Sequence, residues 1–94
     1  LSVIVAHRQE NGSDVPRVLV SNAAANMISS LYPFDEAGAR VELEKITSSV
    51  RDPARVRKIA GLDNAFVARS GRLRVIFKRE GEAFIITSVV ANSA

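Results

Sequence analysis

The sequence predicts an α+β domain: a two-helix hairpin packed on an antiparallel sheet that ends in a three-stranded meander, with an extra N-terminal strand. Three observations carry this expectation. Apolar residues recur at helical spacing between positions 22 and 50. From Ala65 onward the period changes to two, broken by short glycine-containing turns. With 94 residues, surface scaling has the folded chain bury about 64% of its unfolded surface, enough for one core and one domain across residues 1–94.

The elements follow in order. Leu1 to Arg8 is rich in β-branched residues and reads as a strand, and Arg17 to Val20 reads as a second. Between them, Asn11-Gly12 is a strong hairpin signal, although Pro16 removes a ladder donor near the second strand. The alternative is that residues 1–15 form an N-terminal arm. Ser21 or Asn22 caps a helix running through Leu31, with Ala24, Met27, Ile28 and Leu31 at i, i+3, i+4, i+7. Tyr32-Pro33 ends it, because a residue before proline avoids the α region. Asp35 caps a second helix to about Val50, its stripe being Ala39, Leu43, Ile46 and Val50.

Asp52-Pro53 reads as an N-cap with proline at the first helical position, and Gly61 stands where a terminating glycine belongs. Pro53 to Ala60 is therefore a short helical turn or an irregular basic segment. The stretches Ala65–Arg69, Arg72–Arg79 and Glu82–Val90 form the meander, turning at Ser70-Gly71 and Glu80-Gly81. In its middle strand Leu73, Val75 and Phe77 point one way, and Arg72, Arg74, Ile76 and Lys78 the other. The apolar set must meet the helices, which leaves cations on the opposite face. The last strand is apolar on both faces, with Phe84, Ile86 and Val90 against Ile85 and Val89, so it should be central or covered.

Composition excludes several functional classes. The chain has no cysteine and one histidine, His7, so thiolate chemistry, thiolate metal sites and His-rich metal cages are ruled out within one chain. No metal or cofactor is expected. Its longest apolar runs are too short to cross a bilayer and no signal-peptide pattern opens it, so a cytoplasmic location with no membrane partner is expected. Thirteen Lys and Arg against ten Asp and Glu give a net charge of +3. The distribution matters more than the total. Residues 1–50 hold four basic and six acidic groups, while residues 51–94 hold nine basic and four acidic. Such a basic half suits a polyanion or an acidic protein, or is a solvated arginine-rich surface.

A family resemblance rests on particular residues. Gly61-Leu62 and then Phe66-Val67-Ala68-Arg69-Ser70-Gly71-Arg72-Leu73-Arg74-Val75-Ile76-Phe77 resemble the RelE/ParE superfamily of bacterial toxins. That pattern is a glycine after a basic segment, a strand ending in Arg, a Gly turn, and a strand of the form Arg-Val-Ile-aromatic. The order strand, helix, helix, meander agrees, with Val18 to Ser21 as the family's first strand. The match spans about residues 16–94 and leaves 1–15 outside it.

The resemblance implies the toxin of a type II toxin–antitoxin system, held silent by a cognate antitoxin protein. The favoured activity is a metal-independent endoribonuclease that cuts mRNA on the ribosome. The alternatives are a non-hydrolytic ParE-like inhibitor of DNA gyrase, or an inactive relative that serves as a protein-binding module. In ribonuclease members the Arg opening the central strand stabilises the reacting phosphate, and Arg74 matches it. The other reading of Arg74 is a solvated strand charge. A guanidinium fork suits phosphate because it stays charged and donates in a plane. Arg69, Arg72 and Lys78, with Arg57 and Lys58 from the basic run Arg51, Arg55, Arg57, Lys58, are read as RNA-binding or antitoxin-facing, or as solvated. Ribonuclease members carry His, Tyr or Arg after the closing strand, where this sequence has Val90-Ala91-Asn92-Ser93-Ala94. Some ribosome-dependent members place lysines where Ala65 and Val67 stand. The sequence thus names no general acid or base, which favours the gyrase alternative. His7 reads as structural, Glu80 and Glu82 as turn residues, and Phe66 and Phe77 as core.

Overall fold

A computed structural model of the chain describes residues 3–5 and 17–91. Strand β1 (Val3–Val5) and strand β2 (Arg17–Ser21) precede two helices, α1 (Asn22–Leu31) and α2 (Glu36–Val50). A single 3-10 turn, Pro53–Arg55, leads into β3 (Val56–Lys58), and β4 (Ala65–Ser70), β5 (Leu73–Glu80) and β6 (Ala83–Ala91) complete the chain. The strands form one six-stranded sheet in the order β1-β2-β6-β5-β4-β3.

The α+β class, both helices and the meander agree with expectation, but the sheet is mixed rather than antiparallel. β2 runs parallel to β6, with Val18 opposite Phe84 and Val20 opposite Ile86. The two intervening helices supply the crossover that a parallel pair needs and a tight hairpin cannot provide. β6 is consequently an interior strand, as its two apolar faces required. β1 pairs antiparallel with β2, Val3 opposite Ser21, which favours the hairpin reading over a detached arm. The Asn11-Gly12 turn and His7 lie outside the described residues.

Both helices are capped by the residues that the sequence offers. The Ser21 side chain accepts from the Ala24 N–H at 3.1 Å, and the Asp35 carboxylate accepts from the Gly38 N–H at 2.9 Å. One face of the sheet meets the helices in a single core. Val18, Val20, Ala68, Leu73, Val75, Phe77, Ile86 and Val89 pack with Ala24 and Ile28 of α1 and Ile46 and Val50 of α2. Phe77 is the largest fully buried side chain, stacked on Phe66 at 5.4 Å between centroids and tilted against Phe84 at 5.2 Å. These aromatics serve the core, as alternation predicted.

Three local features depart from simple periodicity. First, β6 carries a bulge: Ile76 of β5 faces Ser88 while Phe77 faces Ile86, leaving Thr87 as the extra residue. The Thr87 hydroxyl donates to the Ile76 carbonyl at 3.2 Å. One inserted residue inverts the alternation, so Val89 joins Ile86 in the core and Val90 is exposed. Strict period two had set Val90 with Ile86 and Val89 against them. Second, Met27 was expected in the apolar stripe but is 40% exposed, as Leu31 is at 43%. β2 leaves the sheet for α1 after Ser21, so β6 beyond Ile86 lacks its ladder partner on that side. The Met27 sulfur fills the gap, accepting from the Val89 N–H at 3.4 Å. Third, each meander turn is one residue later than expected. Ser70 pairs with Leu73 and Glu80 with Ala83, so the two-residue loops are Gly71-Arg72 and Gly81-Glu82. Gly71 and Gly81 have φ of 59° and 60°. A glycine at the first loop position with positive φ is what a type II′ hairpin turn requires.

Candidate functional site

The face of the sheet away from the helices is set by register. On β5, Arg74, Ile76 and Lys78 alternate with the buried Leu73, Val75 and Phe77. Directly across on β4, Arg69 pairs with Arg74 and Val67 with Ile76. On β3, Arg57 pairs with Val67. Four strand positions therefore bring Arg57, Val67, Arg69 and Arg74 onto one surface, although 17 residues separate the first from the last.

The segment before β3 adds a fourth guanidinium. The helical turn expected over Pro53 to Ala60, with an irregular basic segment as the alternative, is a 3-10 turn confined to Pro53–Arg55, and Val56–Lys58 becomes an edge strand. The Asp52 carboxylate caps that turn, accepting from the Ala54 N–H at 3.0 Å, and its second oxygen pairs with the Arg55 Nε at 3.3 Å. One carboxylate thus fixes both the turn and the Arg55 stem. The result is an open cavity of about 640 Å³ lined by Ala54, Arg55, Arg57, Val67, Arg69 and Arg74. Its four guanidiniums are solvent-exposed, and its floor is the aliphatic Val67 over which arginine stems can lie.

The sequence-selected residues divide accordingly. Arg74, Arg69 and Arg57 come together. Arg72 does not: it occupies the turn after Gly71 instead of the strand where it was expected. Lys78 lies on the same face as Arg74 but outside the cavity, and its Nζ pairs with Glu80 at 2.8 Å. Lys58 pairs with Phe66 and so belongs to the opposite face of the edge strand. Arg55 was visible only as part of a basic run; its place in the cavity depends on the 3-10 turn, which the Asp-Pro pair announces without giving its length. Arg51, from the same run, lies outside the lining and has its pKa lowered by burial.

The chemistry available follows from the lining. Guanidiniums donate planar paired hydrogen bonds and stay protonated, so the cavity can bind an anion and stabilise charge building on phosphate oxygens. The six lining residues include no side chain that titrates near neutrality. Among the described residues no helix is long and apolar enough to cross a membrane. No protein-family profile, curated protein or solved structure matches the chain.

Proposed function

We propose that this chain is a RelE/ParE-like toxin of a type II toxin–antitoxin pair, acting as an mRNA endonuclease on the ribosome and silenced by a cognate antitoxin. The observation that carries the reading is the convergence of Arg55, Arg57, Arg69 and Arg74 on one cavity of the sheet face away from the helices. The order of elements and the Arg74-Val75-Ile76-Phe77 strand support it.

In this reading the RNA backbone lies along the cavity, with Arg74 at the scissile phosphate. Attack by the neighbouring 2′-hydroxyl concentrates negative charge on the nonbridging oxygens, and a preorganised guanidinium lowers that barrier more than it stabilises the ground state. Arg69, Arg57 and Arg55 hold the flanking phosphates. An antitoxin segment bearing carboxylates would neutralise the same cations and close the site.

The test is induced expression of wild type and Arg74→Ala, reading growth and mRNA 5′ ends. Arg74→Ala should slow cleavage by about 10²–10³-fold, the usual loss when one such donor is removed, and relieve arrest. Arrest and cleavage equal to wild type would refute the catalytic role. A second reading, gyrase inhibition without hydrolysis, is favoured because, among the described residues, none that lines the cavity is a proton-transfer group near neutrality. Intact mRNA together with impaired DNA supercoiling would select it. If neither activity accompanies the purified chain, it is a protein-binding relative of the family.

A further inference from the structure

The sequence contains no cysteine and one methionine, so Met27 carries the only sulfur atom in the chain and is the side chain that peroxide oxidises most readily. The fold gives that sulfur a definite task. Among the described residues, the ladder between β2 and β6 ends where Val20 stands opposite Ile86, and beyond that point Met27 of α1 meets β6. Its Sδ accepts from the Val89 N–H at 3.4 Å and from the Ser88 hydroxyl at 3.8 Å. The same side chain is 40% exposed, so a contact that secures the end of β6 lies within reach of small solutes.

A thioether sulfur has two lone pairs, and this arrangement makes them unequal. One is held by the Val89 amide, and the β6 backbone bars approach from that side. The other side carries only the longer contact from Ser88, whose hydroxyl hydrogen rotates.

We propose that Met27 is a site of reversible oxidation by peroxides, and that its oxidation releases the Val89 amide from the seam between α1 and β6. In the step, the solvent-side lone pair of Sδ attacks one oxygen of hydrogen peroxide and the O–O bond breaks. An S=O bond forms, and the departing hydroxide takes the proton of the transferred oxygen and leaves as water. Sulfur gives up two electrons and the peroxide gains them. The new oxygen faces solvent, where the Ser88 hydroxyl can donate to it. The oxidised sulfur bears partial positive charge and accepts poorly, which leaves the Val89 N–H without its acceptor. Val90, the next residue, stands directly opposite Arg74, so the loosened stretch adjoins the arginine surface. The inference is independent of the toxin reading.

The test treats the purified full chain with hydrogen peroxide, folded and in urea. Mass spectrometry reads oxygen uptake, a pair of epimer-specific sulfoxide reductases reads the stereochemistry at sulfur, and NMR reads exchange of the Val89 amide. The folded chain should gain one oxygen, at Met27, chiefly as one epimer, whereas the unfolded chain should give both in similar amounts. In the sulfoxide the Val89 amide should exchange about two- to tenfold faster, as the loss of one hydrogen bond implies, and reduction should restore the original rate. Met27→Leu should take up no oxygen. Equal epimers from the folded chain, a Val89 rate unchanged by oxidation, or uptake by Met27→Leu equal to wild type would overturn the proposal. So would a folded chain that stays unoxidised under conditions that convert the unfolded one.

Discussion

Removing Arg74 should change how RNA binding responds to salt by a calculable amount. Each phosphate neutralised on a single strand releases counterions, giving a slope of log K against log salt of about −0.7 per contact. Four lining guanidiniums engaging one phosphate each set a wild-type slope of about −2.8, so a fourfold rise in salt weakens binding about fifty-fold. Arg74→Ala leaves three contacts, a slope of about −2.1 and a weakening of about eighteen-fold over the same range. Fluorescence anisotropy of a labelled single-stranded RNA, titrated at about 50, 100 and 200 mM salt, resolves the difference. Arg72→Ala and Lys78→Ala are the controls, because those residues lie outside the lining and Lys78 is paired with Glu80. Should Arg74→Ala keep the wild-type slope, or should Arg72→Ala flatten it equally, the cations would act as a diffuse field and the reasoning from the cavity would fail.

Four further outcomes test the frame. Phe77, 2% exposed between two other rings, should cost about 3–5 kcal/mol on replacement by Ala, read by equilibrium urea unfolding; a loss below 1 kcal/mol would contradict its place at the centre of the core. Gly71→Ala should lose about 1–2 kcal/mol, because φ of 59° is unfavourable for any residue with a Cβ, and an unchanged urea midpoint would argue against the turn geometry. Met27→Leu keeps the apolar volume but removes the acceptor for the Val89 N–H, so that amide should exchange hydrogen faster and stability should fall by up to about 1 kcal/mol; unaltered exchange would count against the sulfur contact. Tyr32 donates its phenol proton to Glu42 at 2.5 Å, which raises its pKa above the usual 10.0, with desolvation and the charges of Glu42 and Asp35 adding to the rise. A raised folded-state pKa means stability that is fully present below pH 10 and lost as pH climbs through the higher folded value. The gap between wild type and Tyr32→Phe in urea unfolding should therefore narrow as pH rises above 10.0 and through the higher folded value, and a constant gap would remove the hydrogen bond from the account.

The two helices were legible almost to the residue because their signals are local: Ser21 and Asp35 cap them, Pro33 separates them, and the stripes repeat at the helical period. The meander was legible for the same reason, its glycines standing where a strand must reverse. What pairs across the sheet was not. Nothing near Arg17–Ser21 or Ala83–Ala91 states that the two strands lie side by side and parallel, since that contact is decided by packing over more than 60 positions of chain. Thr87 shows a second limit. A bulge inserts one residue without any compositional mark, and it reversed the facing of Val89 and Val90. Within the site, Arg69 and Arg74 could be brought to one hairpin across one short turn, but not paired, because a turn at Ser70-Gly71 sets Arg69 opposite Arg72 and the turn falls one residue later. Arg55 and Arg57 required knowing that a basic stretch becomes an edge strand, which three residues with a single β-branched side chain do not announce.

The neighbourly position of β2 and β6 has a consequence for how the molecule is born. A nascent chain still tethered near Ala91 can form its helices and begin the meander, yet the strand that joins β2 to the rest of the sheet has not emerged from the exit tunnel. β5, which carries Arg74, is then held on one side only, by β4. Closure of the β2–β6 seam therefore waits until the whole of Ala83–Ala91 has left the tunnel, and the interval before it is when a second protein would find the chain least committed.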